Sequence, residues 1–134
     1  KRVKAYIEGV RAEAMREGRV HTLFGRVRSF AVLKGRGHRG EIEQALRGAV
    51  NTTIQGTAAD LMKLAMQGVA SALDAGEFRA RLLLQGHDEL LLEVPQSEIG
   101  TVKDRVREAM EHVHPLSVPL SVDQKLGGDW REVT

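Results

Sequence analysis

The chain has 134 residues, 42% hydrophobic and 28% charged, with three prolines and no cysteine. That length suits one modest domain with a core and excludes wholesale disorder, and the lack of cysteine excludes a disulfide framework, a thiolate metal site and a thiol nucleophile. Net charge is +2, no apolar run approaches the roughly 20 residues of a membrane span, and no signal-type segment opens the chain, so a soluble, cytoplasmic protein with no membrane partner is expected.

The first residue is Lys1 rather than Met, which raises the expectation of a piece excised from something longer. Charge is divided unevenly. Residues 1–47 hold 12 Lys and Arg against 5 Asp and Glu, a net +7, and residues 48–134 hold 8 against 13, a net −5. No acidic residue lies between Gly18 and Gly40, a window carrying Arg19, Arg26, Arg28, Lys34, Arg36 and Arg39. A basic block of this kind is either a solvated surface loop or a contact for a polyanion, most often nucleic acid.

Val3, Ile7, Val10 and Ala14 recur at helical spacing and predict a helix over 2–17, capped by Gly18. Val20–Phe24 and Val27–Val32 read as irregular extended segments around Gly25. Residues 34–40 hold three glycines and read as a flexible basic loop. Ile42, Ala45, Leu46 and Ala49 mark a second helix. Thr57 and Asp60 resemble a capping box ahead of a third, running through about Leu73 to Gly76. Its apolar face carries Leu61, Met62, Ala65 and Val69. Arg81–Gln85 and Leu90–Val94 are short apolar runs joined through Gly86-His87-Asp88-Glu89, the pattern of a hairpin with a polar tip, and Pro95 ends the second strand. Ile99, Val102, Val106, Met110 and Val113 predict a helix over about 97–113. Leu116–Leu126 alternates enough for a last strand, with Pro119 at an edge or bulge. Helices interleaved with an antiparallel hairpin predict an α+β fold.

Two constellations carry candidate chemistry. Asp88 and Glu89 beside His87 offer hard oxygen ligands suited to Mg²⁺, on a hairpin tip that leaves coordination positions open. Adjacent strand residues face opposite ways, so one carboxylate would bind the ion and the other would support it. The plain alternative is a polar turn, where Asp is common. Arg47, Asn51 and Gln55 stand at i, i+4 and i+8, along one face if a single helix runs through them, with a drift of about 40° per step. These side chains can bond the acceptors of a DNA minor groove, which checks duplex shape without reading sequence. A polar helix face in water is the alternative, and Thr52-Thr53 weakens the helix there. His21, His38, His112 and His114 show no ligand spacing.

Asn51-Thr-Thr-Ile-Gln-Gly-Thr-Ala-Ala-Asp60, with Lys63 and Ala65-Met66, resembles the helix after the nucleotide-binding segment of family A DNA polymerases. Leu82-Leu-Leu-Gln-Gly-His-Asp-Glu-Leu90 resembles the Gln-x-His-Asp-Glu hairpin of their palm. Tyr6-Ile-Glu8, Thr22-Leu-Phe-Gly-Arg-x-Arg28 and Pro115-Leu-Ser-Val-Pro-Leu120 match as well, in order and at matching intervals. The resemblance implies a fragment of the palm, an antiparallel hairpin with packed helices, plus part of the fingers. It implies a fingers-derived helix and basic loop region over 1–50 and a palm-derived helix, catalytic hairpin, helix and C-terminal strand over 51–134. It further implies template-directed nucleotidyl transfer on primer–template DNA with deoxynucleoside triphosphates. Two Mg²⁺ ions, typically about 3.5–4 Å apart, serve such chemistry.

By the same resemblance Asp88 is a catalytic, metal-binding carboxylate and Glu89 its catalytic neighbour. Arg47, Asn51, Gln55, Gln85, His87, Arg26 and Arg28 would contact nucleic acid. The sequence departs from the family pattern at Gly86 for valine, Thr53 for proline, Leu46 for glutamate, Val27 for arginine and Ala31-Val32 for Pro-Asp. The family's other metal-binding aspartate and its fingers lysine and tyrosine would lie upstream of Lys1. One aspartate cannot hold two Mg²⁺ ions, so the chain alone is expected to be inactive. The missing N-terminal part would then be supplied in cis or as a separate chain of a split polymerase. A non-catalytic nucleic-acid-binding module derived from a polymerase is the remaining alternative, and poor folding of an isolated fragment is a third outcome.

Overall fold

The computed structural model describes residues 1–35 and 37–133, so Arg36 of the basic stretch lies outside the described residues. The chain forms two compact units, Lys1–Asp60 and the residues from Leu61 onward. Both combine helices with a two-stranded antiparallel ribbon, the mixed α and β composition expected. No helix among the described residues is long and apolar enough to cross a membrane.

In the first unit, α1 (Arg2–Glu17) ends where Gly18 takes the left-handed conformation, φ 66°, and donates its N–H to the Ala14 carbonyl. A short ribbon follows, β1 (Arg19–His21) against β2 (Val27–Ser29), with Val20 opposite Arg28. The chain then enters α2 (Arg39–Asn51), whose start falls within the segment expected to be loop. The reason is local: the Glu41 carboxylate reaches back to accept the His38 backbone N–H at 2.9 Å, satisfying a donor the helix start would leave open. Val10, Ala14, Val20, Leu33, Ala45, Leu46 and Ala49 form the buried core.

The second helix does not stop at Asn51. It passes through one π-helical turn, Thr52–Gly56, into α3 (Thr57–Ala75). Thr57 is therefore no N-cap. Its backbone is helical, and its hydroxyl donates back to the Thr53 carbonyl at 2.7 Å. The Thr57/Asp60 spacing mimics a capping box because threonine and aspartate also serve inside a helix that other contacts hold.

In the second unit, α3 ends at Ala75, and the residue beyond in the left-handed region is Glu77, φ 52°, rather than Gly76. Phe78 N–H donates to the Leu73 carbonyl and Glu77 N–H to that of Asp74, and Phe78 packs on the core that holds Leu73. This is a Schellman motif with a side chain at the position that favours glycine. Glu77→Gly is accordingly expected to raise stability by about 0.5–1 kcal/mol in urea unfolding. An unchanged or lower midpoint would contradict that geometry.

The hairpin consists of β3 (Arg81–Gly86) and β4 (Glu89–Glu93), with Arg81 opposite Glu93 and Gly86 opposite Glu89. Register shifts between Leu82 and Leu84, leaving Leu83 as the extra residue of a bulge. The Glu98 carboxylate accepts the N–H groups of Arg79 and Ala80 at 3.0 and 3.2 Å, tying the start of the hairpin to the start of α4 (Ile99–Glu111). Val69, Leu73, Ala80, Val102 and Val106 make the core.

The expected strand over 116–126 does not form: the described residues contain only the two ribbons. A side chain takes one backbone donor a ladder would use, and another ties the segment to α4. The Glu111 carboxylate accepts the Val122 N–H at 3.0 Å, and Gln124 donates to the Lys103 carbonyl at 2.9 Å. Pro119 also removes a donor within the segment.

Candidate active site and nucleic-acid interface

The candidate residues fall into two sets, one in each unit. In the first unit the π turn decides the geometry. A wider turn shifts each amide to the carbonyl five residues back, which frees carbonyls from the helical ladder. Hydroxyls and a guanidinium bond carbonyls along this stretch. Thr52 donates to Gly48 O at 2.8 Å, Thr53 to Val50 O at 2.8 Å, and Arg26 Nη2 to Gly56 O at 2.9 Å. A π turn inside a helix often marks a functional position.

The wider turn also opposes the angular drift of an i, i+4, i+8 series. Asn51 Nδ2 lies 3.1 Å from Gln55 Oε1 across the turn, so these two side chains meet on one face. Arg47, Asn51 and Gln55 together line one open depression of about 760 Å³, bordered by Ile7, Arg11 and Ile54. Arg11 pairs with Glu43 at 2.8 Å. The Arg11 hydrogen bond holds the Glu43 carboxyl below its usual range, with Arg47 adding to the effect.

Arg26 and Arg28 are engaged within their own unit. Arg26 Nε donates to Asp60 Oδ1 at 2.7 Å, and Arg28 Nη1 donates to Thr52 Oγ1 at 3.0 Å while its guanidinium covers the Phe30 ring at 5.1 Å. Both arginines therefore bind the β1–β2 ribbon to the π turn. Gly56 permits this approach, because a Cβ there would stand 2.8 Å from Thr22 Cγ2.

In the second unit His87 and Asp88 form a two-residue tip, and Glu89 already belongs to β4. His87 has φ 26°, a left-handed value that a two-residue hairpin demands at its first central position and that glycine would normally supply. Gln85 Nε2 donates to the His87 carbonyl at 3.1 Å, holding the turn from inside. Gln85, one of the expected nucleic-acid contacts, thus has a role in the hairpin itself. The Asp88 carboxylate is exposed and makes no hydrogen bond among the described residues.

The Glu89 side chain folds over Gly86, where a Cβ would stand 3.1 Å from Glu89 Oε1. Among the described residues no three His, Cys, Asp or Glu side chains gather into a metal-binding group. An exposed carboxylate such as that of Asp88 has the chemistry of a single oxygen ligand for a hard cation, short of the six a Mg²⁺ ion takes.

Sequence reasoning missed the threonines of the π turn and the Tyr6 hydroxyl that reaches them. Tyr6 Oη donates to Thr53 Oγ1 at 2.8 Å. The available signal was the clustering of Thr52, Thr53 and Thr57, whose hydroxyls can bond backward along a helix and bend it.

The sequence profile described as DNA polymerase family A matches residues 1–132. The chain belongs to DNA polymerase family A. It is 49% identical over 129 residues to the thermostable DNA polymerase I of Thermus thermophilus, covering 96% of this chain and 15% of that protein. It is 43% identical over 132 residues to DNA polymerase I of Streptococcus pneumoniae, covering 97% of this chain and again 15% of the relative. The chain therefore spans about 15% of the length of these family A relatives. Among solved structures it resembles the polymerase domain of Pol1 from M. smegmatis in complex with DNA primer-template and dNTP. The TM-score is 0.93 at 40% identity, over 98% of this chain and 23% of that one.

Proposed function

We propose that this chain is the C-terminal portion of the polymerase domain of a DNA-directed DNA polymerase, with residues 1–50 derived from the fingers and 51–134 from the palm. The observation that carries the reading is the likeness, at TM-score 0.93 and 40% identity, to a polymerase domain solved with primer-template and dNTP. Arg47, Asn51 and Gln55 present hydrogen-bond donors along a minor groove, where such contacts test duplex shape. Arg26 and Arg28 support that face by holding the π turn, and their remaining N–H groups would contact nucleic acid. On the hairpin, Asp88 would hold catalytic Mg²⁺ and Glu89 would support it, with Gln85 and His87 shaping the tip beside the primer end. The chemistry such an ion would supply is charge stabilisation for the 3′-oxygen and the pyrophosphate. A single exposed aspartate cannot complete a two-ion site, so the upstream part of the polymerase, in cis or as a separate chain, provides the other carboxylate. The locale would be the cytoplasm, where the nucleoid is.

The test is binding of fluorescent primer–template DNA by the 134-residue chain. Arg47→Ala and Asn51→Ala are each expected to weaken binding by about 1–2 kcal/mol, roughly five- to thirtyfold. Affinities equal to wild type would overturn the assignment of this face.

A further inference from the structure

The groove-facing side chains stand on a helix interrupted by a π turn. One π turn separates Asn51 from Gln55, and a π turn is a costly local choice that neighbouring contacts must hold. Two sets of contacts reach it. Arg26 and Arg28 come from the ribbon, to Gly56 O and Thr52 Oγ1. From α1, Tyr6 Oη donates to Thr53 Oγ1 at 2.8 Å, and Thr53 Oγ1 donates onward to Val50 O at 2.8 Å. These two bonds form a relay, tyrosine hydroxyl to threonine hydroxyl to helix carbonyl, in which each hydroxyl has a partner. It ends on Val50, next to Asn51 and within the wall of the depression that Arg47, Asn51 and Gln55 line.

The relay crosses from α1 to the turn over 47 residues of sequence, so it is a tertiary clamp and no part of the helix's own ladder. Tyr6 is 48% exposed and contributes nothing to the buried core, so packing gives no reason for its hydroxyl to be there.

We propose that Tyr6 is a positioning residue for duplex recognition. Through Thr53 it sets the π turn that brings Asn51 and Gln55 onto one face. The inference rests on the DNA-facing reading of those residues and deepens it: the shape check on the duplex depends on a hydroxyl that itself touches no DNA. Removing the hydroxyl would leave the fold and the phosphate-based attraction intact. It would let the turn relax, and the groove contacts would lose their alignment.

The experiment uses the 134-residue chain and the variants Tyr6→Phe, Thr53→Val and Thr53→Ser. Amide hydrogen exchange over residues 52–56 reports the turn without any DNA. Loss of one hydrogen bond of this class is expected to speed exchange there roughly two- to tenfold in Tyr6→Phe and Thr53→Val. Thr53→Ser, which keeps the hydroxyl, should behave as wild type. Amides of α4 should not change in any variant. The second readout is binding to two duplexes, one natural and one carrying 3-deazapurines that lack the minor-groove N3 acceptor.

Wild type should bind the deaza duplex more weakly. Tyr6→Phe should lose at least half of that discrimination while its salt dependence stays unchanged, since phosphate contacts set the latter. Unchanged exchange in Tyr6→Phe, or full discrimination by it, would overturn the proposal. A wild-type chain that binds both duplexes equally would instead sink the DNA-facing reading. The exchange result would then still uphold or refute the hold of Tyr6 on the turn.

Discussion

Replacing Asp88 by Ala in a complete polymerase, built by placing this chain behind the upstream residues of its Thermus thermophilus relative, is expected to lower Mg²⁺-dependent primer extension by about a thousandfold or more. The likeness to that relative over nearly all of this chain makes the exchange of matching residues structurally conservative. A carboxylate that holds a catalytic ion underwrites several kcal/mol of transition-state stabilisation, and about 4 kcal/mol corresponds to a thousandfold in rate. Asp88→Asn should do nearly as much harm, because a neutral amide is a poor ligand for a hard cation. Glu89→Gln should be milder. Glu89 opens β4 opposite Gly86 and folds over it, whereas Asp88 is exposed in the two-residue tip. Steady-state extension rates of the three variants check the ranking. Equal loss from Glu89→Gln and Asp88→Asn would contradict the division of labour between them.

The second large effect is structural. Asp60→Ala is expected to destabilise the first unit by about 2 kcal/mol, with a fall in Tm on the order of 10 °C. Arg26 Nε meets Asp60 Oδ1 at 2.7 Å, and the Asp60 side chain is only 12% exposed. Arg26 also donates to Gly56 O, so one guanidinium ties the ribbon both to the π turn and to the start of α3. A hydrogen bond between charged groups contributes about 1.5–3 kcal/mol when sheltered. The half-exposed Arg26, at 48%, keeps the expectation in the middle of that range. Circular-dichroism melts of Asp60→Ala and Asp60→Asn are the check. The asparagine should recover part of the loss, since its amide oxygen can still accept from Arg26. A melt identical to wild type would mean that this link does not hold the ribbon.

Much of this organisation could be read from residue spacing. The helix over 2–17 coincides with α1, Arg2–Glu17, and Gly18 caps it in the left-handed conformation. Periodicity succeeds there because one apolar stripe faces one core. The hairpin emerged from the polar break between two leucine-rich runs, though its tip is tighter than four residues, with His87 and Asp88 alone in the turn. The bulge at Leu83 escaped notice because in a run of three leucines every register looks equally apolar.

The π turn was illegible for a different reason. Arg47, Asn51 and Gln55 read as a drifting 3.6-residue stripe, while the real alignment depends on tertiary contacts from Tyr6, Arg26 and Arg28. The false last strand has a related cause. Alternation over 116–126 marks residues that face inward and outward, and it does not reveal that Glu111 would take the Val122 N–H or that Gln124 would bond the α4 backbone. Asp88 shows the limit most clearly. Residue type marks it as a candidate ligand, but no three His, Cys, Asp or Glu side chains among the described residues gather into a metal-binding group around it.

The most direct measurement is Mg²⁺-dependent primer extension by the 134-residue chain, alone and behind the upstream residues of its Thermus thermophilus relative. No extension is expected from the chain alone at any protein concentration, and restored extension when the upstream part is present. Extension by the chain alone that disappears in Asp88→Ala would contradict that expectation, because a complete catalytic site would then lie within these residues.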